Sequence, residues 1–440
     1  MKPQIGKRKL KPSGIDWIGD VPEGWGVVRV KYTGWYRNGL TYAPDDVCDE
    51  GEGVLVLRSS NIQDGKLDYA DSVYVNKTIP RELKTRVNDI VICSRNGSSD
   101  LIGKNAIVND EQEMTFGAFM MAYRVESYFP RFAYWMLNSC VFKYYRSLFV
   151  TSTVNQLTGA DFGNITVPVP PHDEQKRIAA KLDRLCGRID ELSANLTKEI
   201  AALQDYRKSL ITECVTKGLN PKAKMKPSGV EWIGKIPAGW TVMRLKYACS
   251  TITDGSHFSP ECVDDGYPYV TATDVRGVGI DFERTKFVSE ADYQALVATG
   301  CGLKRDDVLM VKDGATTGRV GMMTDDTKAV ALSSVAILRT PEDTDRKFLY
   351  WGLQSDGLQR NIQQTMAGSA MPRITVWKLG QYNIALPSID EQKEIVAYLD
   401  KHCAVIDAKI EERKGQLEKL AEYRSSAIYE YVTGKKEVAA

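Results

Sequence analysis

The chain has 440 residues, 43% of them hydrophobic and 26% charged, which is ordinary for globular protein but more than one hydrophobic core serves, so two to four domains are expected. A formal net charge of +1 neither points to nucleic acid nor excludes it, because a basic face is easily offset elsewhere; charge has to be argued locally. No stretch approaches the roughly 20 apolar residues of a membrane span, and the basic start at Lys2, Lys7, Arg8 and Lys9 has no apolar run behind it, which predicts a soluble, cytoplasmic chain. The nine cysteines contain no Cys-x-x-Cys pair, and Cys48, Cys93, Cys140, Cys186, Cys214, Cys249, Cys262, Cys301 and Cys403 read as reduced core thiols.

The first landmark in chain order is the segment 11–32, which opens Lys11-Pro12-Ser13-Gly14 and ends Lys31-Tyr32. It returns as Lys226-Pro227-Ser228-Gly229 through Lys246-Tyr247, an offset of 215 residues. Asp173-Glu174-Gln175-Lys176 returns as Asp390-Glu391-Gln392-Lys393, and Tyr206-Arg207 as Tyr423-Arg424, both at an offset of 217. Landmarks repeated in order at nearly one spacing imply two copies of a unit, each a globular part followed by a long helix. Such a chain is built to meet something two-fold.

Each copy has a polar, strand-rich region, 24–169 and 239–386. Short β-branched runs predict strands at 54–57, 89–93 and 120–125 in the first, and at 267–271, 307–311 and 330–338 in the second. A helix is expected to follow at 131–145 and 346–355, with Tyr134-Trp135 matching Tyr350-Trp351 as core aromatics. The copies share pattern more than identity: Arg58, Ser60 and Asn61 follow one strand where Thr271 and Thr273 follow its counterpart. A frame kept while its polar loops diverge suits two binding domains that read different targets.

Several loops carry side chains suited to DNA. Arg95, Asn96 and Lys104 in the first copy correspond to Lys312, Thr316, Thr317 and Arg319 in the second, and Asn155 and Gln156 correspond to Arg373. Ser256 and His257 add a Gly-Ser turn. Glycine lets backbone approach closely, hydroxyls and amides reach phosphates or base edges, and arginine can bridge guanine. For any one of these residues a solvated turn is the commoner explanation; it is their pairing that raises the loops above it.

From 172 to about 218 the chain has no proline, and Pro170, Pro171 and Asp173 mark the helix start as Gly218 and Pro221 mark its end. Leu182, Ile189, Leu196, Leu203 and Leu210 fall seven apart, as do Ile178, Leu185, Leu192, Glu199 and Tyr206. This predicts a coiled-coil seam broken only at Glu199. About 45 residues at 1.5 Å rise give a helix of roughly 65 Å. The second helix shows Ile395, Leu399, Ile406, Leu420 and Ala427, its stripe sliding to Ile410 and Leu417, with Arg413, His402, Lys409 and Gln416 interposed. An irregular stripe suits a specific unlike partner, and the first helix of the same chain is the obvious one. The competing explanation is that both helices are packed into compact cores.

There is no phosphate-binding glycine loop, no metal-ligand spacing and no Asn-Pro-Pro-aromatic motif of an amino-methyltransferase, and His172, His257 and His402 are isolated. No catalytic site and no metal site is expected.

Taken together, these residues resemble the specificity subunit of Type I restriction-modification enzymes. The likeness rests on the openings Pro22-Glu23-Gly24-Trp25 and Pro237-Ala238-Gly239-Trp240, on the Thr253 to His257 loop, on the Asp-Glu-Gln helix starts and on the Tyr-Arg helix ends. It implies an α+β fold: two repeated α/β target recognition domains separated by two long conserved helices in an antiparallel coiled coil, with pseudo-two-fold symmetry. The expected divisions are 1–171 and 219–388 for the recognition domains, and 172–218 and 389–440 for the spacer helices.

The resemblance further implies that each domain reads one half of a bipartite, asymmetric double-stranded DNA target. Segments 173–216 and 390–433 would dock two adenine-methylating modification subunits, and two restriction subunits would join the full complex. S-adenosylmethionine, ATP and Mg would belong to those partners, with no cofactor in this chain. Asn38-Gly39-Leu40-Thr41-Tyr42 stands in the first copy where the second has its Gly-Ser-His turn. The alternative is a scaffold or antirestriction adaptor that reuses the fold without reading DNA, and an enzyme in its own right comes third.

Overall fold

The computed structural model describes residues 8–149, 155–277, 279–366 and 372–438. The chain forms two compact units, Met1–Leu196 with Gly415–Ala440, and Thr197–Lys414. The first long helix, His172–Lys217, and the second, Ile389–Val432, therefore each contribute to both. Among the described residues no helix is long and apolar enough to cross a membrane.

In the first unit a four-stranded antiparallel sheet runs in the order Asn105–Ile107, Ile90–Cys93, Met120–Val125, Gly34–Asn38. Alternation along the strand sends Ile90 and Ile92 to one core and Val91 and Cys93 to another, so this sheet is covered on both faces. One cover is a second sheet in which Met114–Phe116 pairs parallel to Val54–Leu57. The other is helical, built from Pro130–Leu137 and the ends of both long helices: Ile178, Ala179, Leu182 and Cys186 from one, Ile428, Tyr431 and Val432 from the other.

The second unit repeats the plan. Thr251–Asp254, Val335–Arg339, Val308–Val311 and Val320–Met322 form the antiparallel sheet, and Val330–Ala331 pairs parallel to Tyr267–Val270. Ile211, Cys214, Val215, Ile395, Val396, Leu399 and Cys403 complete its core from the long helices. The run expected as one strand at 330–338 is two, turned at 332–334, and the helix expected at 131–145 is also two, Pro130–Leu137 and Val141–Phe149.

Both units are braced at the same points. Asp89 takes Arg124 at 2.9 and 2.6 Å, and Asp307 takes Arg339 at 2.7 and 2.8 Å. The Trp25 indole donates to Glu174 at 3.0 Å, and Trp240 to Glu391 at 3.0 Å. Trp135 donates to Asp183 at 2.8 Å, and Trp351 to Asp400 at 3.1 Å. Each of these buried indoles thus finds an acceptor in the N-terminal part of a long helix, which fixes that helix against its unit.

The helices depart from the expected seam. Ile178, Leu182 and Ile189 are buried, but Leu185, Leu196 and Leu203 are only partly so, and Leu192 is 51% exposed. In the second helix Ile395, Leu399, Ile406 and Ile410 are buried while Leu417 and Leu420 are half-exposed. The first helix's buried residues, Ile178, Leu182, Cys186 and Ile189, follow the 3.6-residue period of a helix lying on a domain core, which tightens the stripe to four and three and turns Leu192 outward. The two helices do meet. Glu199 pairs with Arg413 at 3.0 Å and Arg207 with Asp407 at 2.8 Å in the second unit, which marks an antiparallel register. In the first unit Arg424 reaches Asp190 at 3.5 Å.

The cysteines split. Cys93, Cys186, Cys214, Cys249, Cys301 and Cys403 are buried, Cys48 and Cys140 are half-buried, and Cys262 is exposed, contrary to its expected place in a core. Burial pushes the thiols of Cys186 and Cys403 up to about 11 and those of Cys214 and Cys249 to about 12.

Candidate nucleic-acid interface

Backbone hydrogen bonds align the two units residue by residue. Ser94 N donates to Phe119 O and Leu157 N to Ser94 O; Lys312 N donates to Ser334 O and Ile374 N to Lys312 O. Ser94 therefore stands for Lys312, Arg95 for Asp313, Gln156 for Arg373 and Phe119 for Ser334. Cys93 N to Lys104 O and Val311 N to Arg319 O make Lys104 the counterpart of Arg319. The sequence pairing of the run from Ser94 with the run from Lys312, and of Lys104 with Arg319, matches this register, which sets Lys312 opposite Ser94 and not opposite Arg95.

Two glycines show why the frame persists. A side chain at Gly39 would stand 2.0 Å from the Phe116 carbonyl oxygen, and one at Gly255 would stand 2.1 Å from that of Ala331. Only glycine lets these turns close on the neighbouring strand. Leu40 bridges to Gly117 and Ser256 to Leu332 in the same parallel sense, so Asn38 to Tyr42 and Asp254 to Phe258 are one loop in two chemistries.

In the first unit these loops surround a groove of about 710 Å³ whose lining includes Tyr42, Arg58, Ser59, Arg95, Asn96 and Phe119. Arg95–Asn96 and Asn155–Gln156 form a two-stranded ribbon beside it. Arg95 is exposed, its guanidinium 5.1 Å from the Phe119 ring centroid, and Phe119 is itself 59% exposed. Asn96 donates to Ser59 Oγ at 3.2 Å and Asn155 to Gly97 O at 3.0 Å, so both order the ribbon. Gln156 is half-buried beside them. Lys104 reaches Ser59 O at 3.5 Å, Arg58 pairs with Asp71 at 2.8 Å, and Ser60 is exposed between them. Asn61 differs from the expectation. It is fully buried, accepting from Arg58 N at 2.9 Å and donating to Asp68 O and Asp71 O at 3.0 Å, and it closes the turn instead of facing solvent.

The second unit exchanges the charges. Lys312, expected to face DNA, is 2% exposed, its ammonium 3.2 Å from Asp254 and 3.1 Å from Asp313, so it is an internal counter-ion. Arg373 is exposed and pairs with Asp313 at 3.1 Å across the bridge that replaces the ribbon. Thr317 donates to Gly314 O at 2.6 Å, Thr316 accepts Arg319 N, and Arg319 is exposed with a bond to Val275 O at 3.3 Å. Thr273 is exposed and meets Thr271 at 2.8 Å. His257 is exposed, 3.2 Å from Asp254, whereas Ser256 is buried, its hydroxyl given to Phe258 O at 2.7 Å, and acts as a turn former. Residues 151–154 and 367–371, parts of the expected loops, lie outside the described residues.

Sequence reasoning did not single out Phe119, and it met Asp254 and Asp313 only as members of loop runs, without their role as counter-ions to Lys312. Phe119 sits in the turn between two strands, and an aromatic in so short a turn was its signal. The role of the two aspartates was hidden because they answer a lysine whose burial appears only when the strands are assembled.

The geometry is that of a duplicated mixed-sheet protein: one scaffold twice, with different polar loops at the corresponding end of each sheet. The chain belongs to the Type I restriction modification DNA specificity domain family, which it matches over residues 22–202 and again over 237–419. It is 31% identical over 219 residues to the StySPI specificity subunit of Salmonella potsdam, a likeness covering 49% of this chain and 47%, about half, of that relative. To the putative type I restriction enzyme MjaX specificity subunit of Methanocaldococcus jannaschii it is 25% identical, over 95% of each chain. A solved chain from work on complex assembly and conformational transition of the type I R-M system has the same fold, with a TM-score of 0.70 at 17% identity over 94% of this chain and 99% of that one.

Proposed function

We propose that this chain is the DNA-reading subunit of a Type I restriction-modification complex and catalyses nothing itself. Each unit reads one half of a bipartite, asymmetric target. The long helices hold the units in register and carry two modification subunits that methylate adenine with S-adenosylmethionine, and two restriction subunits that use ATP and Mg join the full assembly.

One observation carries this reading: equivalent positions at the loop end of each sheet keep their backbone bonds and change their chemistry. Arg95, Gln156 and Phe119 in one unit answer to Asp313, Arg373 and Ser334 in the other. A scaffold that only bridged proteins would have no use for such an exchange, whereas readers of unlike half-sites need it, because base edges differ in donors and acceptors while the duplex backbone does not. Exposed Arg95, Arg319 and Arg373 supply the fork donors that suit guanine. The test is adenine-methylation mapping of the native host's genome with and without this gene. A bipartite methylated motif lost in the deletion supports the reading, and an unchanged methylome leaves the adaptor alternative.

A further inference from the structure

We infer that Arg29, Lys31 and Tyr32 in the first unit, and Arg244, Lys246 and Tyr247 in the second, are twin docking surfaces for two copies of one protein partner that presents carboxylates. The inference rests on the proposed function for that partner's identity, which would then be the modification subunit.

The segments 11–32 and 226–247 are the most alike stretches of the two copies, and most of their identity has a structural cause. Trp25 and Trp240 are buried and bonded to helix-start glutamates, and Ile18 and Ile233 lie in the cores. No such cause covers Arg29-x-Lys31-Tyr32 and its repeat. Tyr32 is 71% exposed and Tyr247 66%, each with the preceding lysine ammonium over its ring, at 5.2 and 4.8 Å. Arg29 and Arg244 are exposed, and none of these four cations joins an ion pair among the described residues; Arg244 bonds only Gln381, at 3.0 Å. A large aromatic left in water once means little, but the same aromatic and cations left there twice mark a surface in use. Tyrosine and arginine are also the side chains that anchor protein interfaces most strongly.

Position decides what meets it. Tyr32 precedes the strand Gly34–Asn38, whose far end leads into the Gly39 turn beside the groove, and the strand Thr251–Asp254 separates Tyr247 from the Gly255 turn in the same way. These strands, five and four residues long, put the patch roughly 15 Å from the divergent loops, at the opposite end of the sheet. The end that differs between units faces what differs, the two half-sites. The end that is identical faces what is identical, a partner taken up twice, and unpaired arginine and lysine call for carboxylates on it.

The test uses the whole chain co-purified with a modification subunit from the same host, with copies counted by native mass spectrometry. Three variants are compared: Lys31→Glu with Tyr32→Ala, Lys246→Glu with Tyr247→Ala, and all four changes together. Each two-residue variant should lose one copy, with at least a ten-fold weaker second uptake, and the four-residue variant should lose both. Melting temperatures should be unchanged, because the altered side chains are exposed. Two copies retained in every variant overturns the inference; if binding to all duplexes weakens as well and its salt dependence flattens, the surface belongs to phosphates. A wild-type chain that takes up no modification subunit fails the proposed function, and this inference falls with it.

Discussion

Arg207, on the first long helix, lies with its guanidinium 5.5 Å from the ring centroid of Trp351 and gives two hydrogen bonds, 2.8 and 3.2 Å, to Asp407 on the second. Its repeat, Arg424, lies 5.7 Å from the Trp135 centroid and 3.5 Å from Asp190. The same arginine thus ties both long helices to the short helix that carries the tryptophan in each unit, once from each long helix. The Tyr-Arg landmark near the helix ends is explained by the arginine; the tyrosines beside it, Tyr206 and Tyr423, are exposed.

Replacing Arg207 by alanine should destabilise the second unit by about 1 kcal/mol, a value set low because Asp407 is partly exposed. Arg207→Lys should not restore it, since an ammonium cannot make the paired bonds and stack at once. Urea unfolding of the single and double variants with Asp407→Ala measures the coupling; additive effects would remove the tie.

Acid should loosen the first unit through Glu174. Burial is the largest single influence and raises its pKa, but the bonds from Arg8 and Trp25 and the Arg8 charge together outweigh it and hold the carboxyl below its ordinary value of 4.5. A carboxyl depressed in the fold contributes its stability fully above that value, and the contribution is lost as pH falls through the lower folded pKa. The difference in stability between the wild type and Glu174→Gln should therefore be constant near neutrality and shrink below about pH 4.5. A difference that grows on acidification would contradict this.

Among the described cysteines Cys262 alone is exposed, and burial raises the thiols of Cys186, Cys214, Cys249 and Cys403. Maleimide at neutral pH should label one thiol quickly and the buried ones only on unfolding. Cys262→Ser should abolish the fast phase, as intact-mass measurement would show.

Lys312 and Arg319, alike in sequence, should part in experiment. Lys312→Met leaves Asp254 and Asp313 without their shared counter-ion and should cost about 2 to 3 kcal/mol of stability. Arg319→Ala should leave stability within about 0.5 kcal/mol. It should instead change DNA binding by the complex: uniformly, with the salt slope reduced by about one, if it meets a phosphate, or by roughly 1 to 3 kcal/mol at one base pair if it reads guanine. Titrations against matched and single-mismatch duplexes separate the two, and an Arg319→Ala complex with unaltered binding would make the loop a plain turn.

These residues also show what the chain's one-dimensional pattern could carry. The duplication, the long helices at 172–217 and 389–432 and the central strands at 54–57, 90–93, 120–125, 267–270 and 308–311 were legible, because they rest on repeated words and apolar runs, whereas strands such as Gly34–Asn38, Asn105–Ile107, Met114–Phe116, Thr251–Asp254 and Val320–Met322 were not. The helix seam was misjudged at Leu192, since heptad spacing does not reveal that the helix ends lie on domain cores and follow a 3.6 period. The candidate interface was legible as loops but not as side chains. Lys312 and Asn61 are as polar as Arg95 or Thr273, and what separates an internal counter-ion or turn closure from a reader is an acid or a carbonyl brought in from elsewhere, Asp254 for one and Asp68 for the other.

The most direct test of the central claim, that each unit reads its own half-site, is an exchange of residues 24–169 for the corresponding region of a relative with a different target, followed by adenine-methylation mapping of cells that carry the chimaera. The account predicts a new bipartite motif in which one half has changed and the other half is retained. A chimaera that assembles with its modification subunits and alters both halves, or neither, would contradict it.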